Sequence, residues 1–178
     1  MVREKTLALE TIKVTSRHNS ENLYWVRWVW DESKPQYMVI CNYPSDGDPR
    51  VMDITRLLIM NHIRSLTGGG VVVANLFSKP KSLGNSSSLT KAGTDQGLLE
   101  LVSMAHNVDE VILGMGSLPS KSKVAQARLA KLMSMYQEDK VADKLKMLVN
   151  PDTGKPSHPL SLQGSSWKLV PVQVETKD

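Results

Sequence analysis

Short apolar runs alternate with stretches of helical spacing through the middle of this chain, and that alternation constrains the fold more than any other feature. Tyr37-Met38-Val39-Ile40-Cys41 and Val71-Val72-Val73-Ala74 are apolar without a break, the pattern of strands buried on both faces. Val108 to Leu113 and Lys144 to Val149 read as two further central strands. Between them, Val51, Ile54, Leu57, Leu58 and Ile63 recur at helical spacing up to Leu66, where Gly68-Gly69-Gly70 is expected to stop the helix. Asp95 to His106 and Ser120 to Tyr136 read as helices, the second carrying Lys121, Lys123, Arg128 and Lys131. Strand–helix alternation of this kind implies a parallel sheet with helices on both faces. The expectation is one α/β domain over residues 1–178, with a central, mainly parallel four-stranded sheet. Thr6 to Ser16 and the aromatic-rich Leu23 to Trp30 add N-terminal edge strands, and Trp167 to Val174 a final one. Ser78 to Ser88 reads as a long polar loop.

Composition narrows the class of function. At 178 residues, 40% hydrophobic and 22% charged, the chain can bury a substantial core. A net charge of +4 admits a polyanionic partner without requiring one. Cys41 is the single cysteine, so no intrachain disulfide forms, which fits a reducing compartment. No apolar run is long enough to span a bilayer. A soluble, cytoplasmic, monomeric protein is the expectation, with no membrane partner. The four histidines and one cysteine show no zinc spacing, and Gly114-Met115-Gly116 lacks the third glycine of a dinucleotide loop. Neither a metal nor a cofactor is expected.

Four short segments fall where buried strands should end: Cys41-Asn42-Tyr43-Pro44-Ser45, Ala74-Asn75-Leu76-Phe77, Gly114-Met115-Gly116-Ser117 and Ser157-His158-Pro159-Leu160-Ser161. Ligands of open α/β sheets bind outside the carboxyl ends of the strands, so these polar groups are expected to converge on one crevice.

Their order resembles that of the uracil-DNA glycosylase superfamily. Asn42-Tyr43-Pro44-Ser45 sits where that family has Gln-Asp-Pro-Tyr, and Asn75 where a strand-ending asparagine reads the extruded base. Met115-Gly116-Ser117 is similar to its Trp-Gly-Ser turn, and His158-Pro159-Leu160-Ser161 to its His-Pro-Ser-Pro-Leu-Ser loop, shortened by a Ser-Pro pair. The chain is more closely similar to a family of bacterial and phage domains of unassigned function, through Asp53-Ile54-Thr55, Asn75-Leu76-Phe77 and His158-Pro159-Leu160. The resemblance implies a DNA glycosylase that leaves an abasic site in DNA containing a modified base, in repair or in defence against phage. It also implies that Ser45, where the uracil-specific branch has a tyrosine crowding the C5 edge of the pyrimidine, opens the pocket to a C5-substituted cytosine, hydroxymethylated or glycosylated, ahead of uracil. Tyr43 stands where the superfamily places the Asp or Asn that positions water. Either another group takes over that task, or the fold binds without cutting.

The residue chemistry suits such a reaction. His158 offers a hydrogen bond to a departing base, Asn75 a donor and an acceptor for its edge, and Phe77 a stacking face. Asp53 is the preferred carboxylate for the attacking water, held by Thr55, with Asp46 and Asp48 as competitors. Asp53 serves equally well as a helix cap, His158 as an exposed loop residue and Phe77 as core. The backbone of Gly116 and Ser117 at a helix start, with Lys121 and Ser161, would take DNA phosphate. Lys123, Lys79 and Lys81 lie nearby, and Leu162 would wedge into the vacated stack. A non-catalytic nucleotide- or nucleic-acid-binding module on the same fold is the alternative.

Overall fold

The computed structural model describes residues 10–45, 47–80 and 86–172. In chain order the elements are β1 (Lys13–His18), β2 (Leu23–Val29), β3 (Gln36–Cys41), α1 (Ile54–Ser65), β4 (Gly70–Asn75), α2 (Ser86–Ala92), α3 (Asp95–Ala105), β5 (Glu110–Leu113), α4 (Leu118–Lys121), α5 (Lys123–Glu138), β6 (Leu145–Val149) and β7 (Lys168–Pro171). The strands form one mixed sheet in the order β1-β2-β4-β3-β5-β6-β7.

The sheet is thus seven-stranded rather than four-stranded. β4, β3, β5 and β6 run parallel, as the apolar runs imply, but β2 joins β4 antiparallel, Trp25 opposite Ala74 through Val29 opposite Gly70. β1 and β7 close the two edges, also antiparallel. Of the expected Thr6–Ser16 strand, β1 takes only the end and runs on to His18, while residues 1–9 lie outside the described residues. Of the expected 78–88 loop, residues 81–85 lie outside as well, and α2 begins at Ser86. The expected 120–136 helix is split, because the Ser122 hydroxyl accepts the Ala125 N–H and starts a new helix there. Gly68-Gly69-Gly70 is more than a helix stop. α1 has already ended at Ser65, with Thr67 in the left-handed region. A Cβ on Gly69 would lie 1.9 Å from the Asp31 carbonyl oxygen, so the glycine permits a backbone contact that no side chain fits.

Strand periodicity sorts the core into two layers. Tyr37, Val39, Cys41 and Val71 face α1 and meet Ile59, Met60 and Ile63. Met38, Ile40, Val72 and Ala74 face the other way, onto Leu98, Leu101, Leu132 and Tyr136 of α3 and α5. Both faces of β3 and β4 are therefore covered, which is why their sequences carry no polar alternation. α1 stands on one face and α2, α3 and α5 on the other. The connection from β3 runs through α1 to β4 on one side, and that from β5 runs through α4 and α5 to β6 on the other, so the carboxyl ends of the central strands border a crevice.

Candidate functional site

The strand ends are flush. Leu76 N–H donates to the Cys41 carbonyl, Phe77 N–H to that of Asn42, and Gly114 N–H to that of Ile40, each at 2.9–3.0 Å. At this edge, on the α1 side, lies a cavity of about 320 Å³. Its floor is Val26, Trp28, Cys41 and Val73, all on the same face of their strands. Asn42, Tyr43, Ser45, Asp53, Thr55, Asn75 and His158 line its walls. Of the eight residues expected to act on the base and its bond, seven share this hollow. The exception is Phe77, which is fully buried on the opposite face of the sheet. Its ring lies 6.2 Å from that of Tyr43 and beneath the Arg128 guanidinium. The chain turns towards α5 after β4, so Phe77 is a core residue and offers no stacking face.

Asp53 is the only carboxylate lining the cavity among the described residues. It is also the cap of α1. Oδ1 accepts the Arg56 N–H at 2.8 Å, and Oδ2 accepts the Ser45 hydroxyl at 2.6 Å and faces Arg56 Nε at 3.4 Å. Asp48 is engaged elsewhere: the Arg50 guanidinium, bonded at 2.6–3.0 Å, brings its carboxyl down to about 2. Asp46 lies outside the described residues. Burial raises the Tyr43 phenol above its ordinary value, and burial with the Asp53 charge pushes the Cys41 thiol up to about 12. Both stay protonated near neutral pH, so neither is a base or nucleophile.

His158 caps the 3₁₀ turn Pro159–Leu162. Its Nδ1 accepts the Leu160 N–H at 3.2 Å, so the neutral ring carries its proton on Nε2, a free donor. Burial lowers the pKa of this imidazole and so favours that neutral form. Ser161 closes the same turn, accepting the His158 N–H and donating to the His158 carbonyl. Gly116 makes the packing possible. It has φ +61°, and a Cβ there would lie 3.2 Å from the His158 nitrogen.

Asn42, Tyr43 and His158 also line a neighbouring groove of about 400 Å³, shared with Gly116, Ser117, Lys121 and Ser161. The expected phosphate contacts therefore gather beside the first cavity. α4 is a single turn ending at Lys121, so backbone amides and one exposed lysine carry what positive potential this groove has. Lys123 lies on α5 and does not line it, Lys79 pairs with Glu21 at 2.8 Å, and Lys81 lies outside the described residues. Leu162 is buried against the α1 layer and is not a wedge; the exposed apolar side chain of this turn is Leu160.

Sequence reasoning missed two lining residues. Arg56 is buried, donates from Nη1 to the Val51 carbonyl, and faces the Trp28 ring at 5.8 Å. Trp28 is buried with its indole N–H unpartnered, as is Oδ1 of Asn42. Arg56 falls on the polar side of the helical pattern, and only its position three residues after the capping Asp53 hinted at a partner.

The pKa directions set an expected stability profile. Burial lowers His158 and also His62, which stacks on Trp167 at 4.7 Å. Both rings protonate more readily in the unfolded chain, whose histidines titrate at about 6.5. Stability should therefore be complete above that pH and fall as pH drops towards the folded values. Urea melts between pH 7.5 and 5.5 test this; a midpoint that is flat or rises on acidification would contradict it. His158→Asn, which keeps a side-chain acceptor for the cap, should flatten the slope.

A family described as a protein of unknown function (DUF1643) matches residues 24–160. No curated protein and no solved structure matches the chain. No group of three or more His, Cys, Asp or Glu among the described residues could hold a metal ion, and none of their helices is long and apolar enough to cross a membrane.

Proposed function

The chain belongs to the DUF1643 family, and from the chemistry of its pocket we propose that it is a monofunctional DNA glycosylase acting on an extruded, C5-substituted pyrimidine. One observation carries this proposal: Asn75 and the Nε2–H form of His158 meet over an apolar floor in one cavity, beside a groove lined by Gly116, Ser117 and Lys121. Asn75 is buried, and its amide makes no hydrogen bond among the described residues, which leaves a donor and an acceptor for a base edge. Water adds to C1′ as the C1′–N bond breaks, and the bonding pair stays on the base. Nε2–H of His158 stabilises the charge growing on the base carbonyl oxygen. Asp53, steered by Ser45, takes the water's proton. Leu160, exposed on the turn that His158 caps, fills the space the base leaves.

Abasic sites, scored on oligonucleotides bearing uracil, 5-hydroxymethylcytosine or its glucosylated form, test this; release of the C5-substituted bases should exceed that of uracil. Inertness on all of them ends the enzymatic proposal. Asp53→Asn separates its two roles. Asparagine keeps the cap bond but not the charge facing the buried Arg56, so stability should fall by about 1–3 kcal/mol. Loss of a general base should slow release by about 10²-fold or more.

A second function, binding without cleavage, is favoured by the commitments of Asp53 to Ser45 and Arg56 and by the protonated Tyr43. It predicts tight binding of the same oligonucleotides with no free base, and unchanged binding in Asp53→Asn.

A further inference from the structure

Ser45 lines both the base pocket and a second cavity of about 320 Å³, which lies between the β1–β2 turn and the loop after β3. Leu23 is the other shared wall. The two hollows have equal volume, so the second is large enough for a substituent the size of the ring itself. The Ser45 hydroxyl is drawn onto Asp53 at 2.6 Å, and the side chain is small.

The turn that walls the second cavity is held rigid from within. Asn19 Oδ1 accepts the N–H groups of Glu21 and Asn22 and the Asn22 amide, and its own amide donates to the Tyr24 hydroxyl. Asn22 Oδ1 in turn accepts the Ser78 hydroxyl at 2.8 Å, in a buried position. These bonds spend the asparagines on structure and fix the shape of the wall before any ligand arrives. Ser16, His18 and Ser20 line the same cavity, and their side chains make no hydrogen bond among the described residues. Each can both give and take a hydrogen bond.

The charge of the lining selects among ligands. No lysine or arginine lines it among the described residues, which disfavours a phosphate. Its carboxylate, Glu21, is paired with Lys79 at 2.8 Å and so offers acceptor oxygens without an unmatched charge. Leu23 and the prolines are too few to hold an apolar chain. What remains is a neutral group bearing several hydroxyls.

We propose that this cavity is a subsite for a hydroxyl-rich substituent on the extruded base, of the hexosyl class, with Ser16, His18 and Ser20 as its specificity-determining contacts. The proposal rests on the base-pocket function above and deepens it by placing the glycosyl substituent in this cavity and naming the residues that read it.

Oligonucleotides carrying one cytosine, 5-hydroxymethylcytosine or glucosyl-5-hydroxymethylcytosine provide the test, with binding read by fluorescence anisotropy and base release by abasic-site formation. The full chain should prefer the glucosylated base over the hydroxymethylated one by about tenfold or more in whichever readout responds. Ser20→Trp and Ser16→Trp, which fill the cavity, should bring that ratio to about one, and His18→Ala should lower it part-way. A ratio near one in the unaltered chain, or one that both tryptophan variants leave intact, overturns the subsite while the base pocket stands. Absence of both binding and release on all three oligonucleotides overturns the two together.

Discussion

Arg128→Ala is expected to destabilise the fold by about 3 kcal/mol, more than any other single change at an exposed-looking position of α5. Lysine and arginine on an amphipathic helix are ordinarily solvated, and helical spacing alone marks Arg128 as one of four such cations. Its guanidinium instead reaches between α3 and the end of β4. Nε donates to the Leu76 carbonyl and Nη2 to that of Thr94 at 2.7 Å, while the group lies 5.6 Å over the Phe77 ring. Gly93 makes room, since a Cβ there would lie 2.8 Å from Nη1. Truncation leaves two carbonyls without donors and a gap over Phe77, and each unmet acceptor costs about 1–3 kcal/mol. Burial also lowers the Arg128 pKa from its usual value, as expected of a cation held by carbonyls and an aromatic face instead of water. Because Leu76 follows Asn75, the effect should reach the pocket. Urea melts give the stability, and Arg128→Lys should recover only part of it, since an ammonium does not span both carbonyls. A loss below about 1 kcal/mol would mean that water replaces the guanidinium without penalty.

His158→Ala should lower the rate of base release by about 10²–10³-fold while shifting stability by about 1 kcal/mol. The two figures have separate origins in one ring. Nδ1 supports the turn by accepting the Leu160 N–H, a cap bond of ordinary strength. In the proposed reaction the Nε2–H acts only when charge develops on the departing base. His158→Asn tests the division, because its oxygen can take the cap bond while its amide cannot reach as far. It should melt like the unaltered protein and release base as slowly as the alanine variant. Equal activity in all three proteins would remove His158 from the chemistry. The proposed reaction uses the neutral imidazole, so its rate should also hold down to a pH below the ordinary histidine value, because burial lowers the pKa.

Local pattern made much of this molecule legible. The unbroken apolar runs at Tyr37–Cys41 and Val71–Ala74 are β3 and β4 with at most one residue added at an end. Asp95 is where α3 begins. The polar groups at the strand ends could be placed near one another because a parallel sheet gathers its carboxyl ends on one edge. Some residues were not legible for an equally physical cause. Phe77 and Leu162 follow functional-looking residues directly, yet one or two peptide units past a strand or turn suffice to send a side chain into the core instead of the cavity. Arg56 and Trp28 are 28 positions apart and become neighbours only because β2 pairs with β4 and α1 packs across the same face. No periodicity within either segment records that meeting.

Residue order alone therefore determined which stretches are strands and helices, through the two-residue and 3.6-residue repeats of side-chain direction, and which polar groups stand at strand ends. Tertiary structure decided the sheet order, the walls of the pocket, and the division of Asp53 between cap, Ser45 and Arg56. Those depend on contacts between segments tens of residues apart, whose geometry is set by packing of whole faces and leaves no mark in any local window.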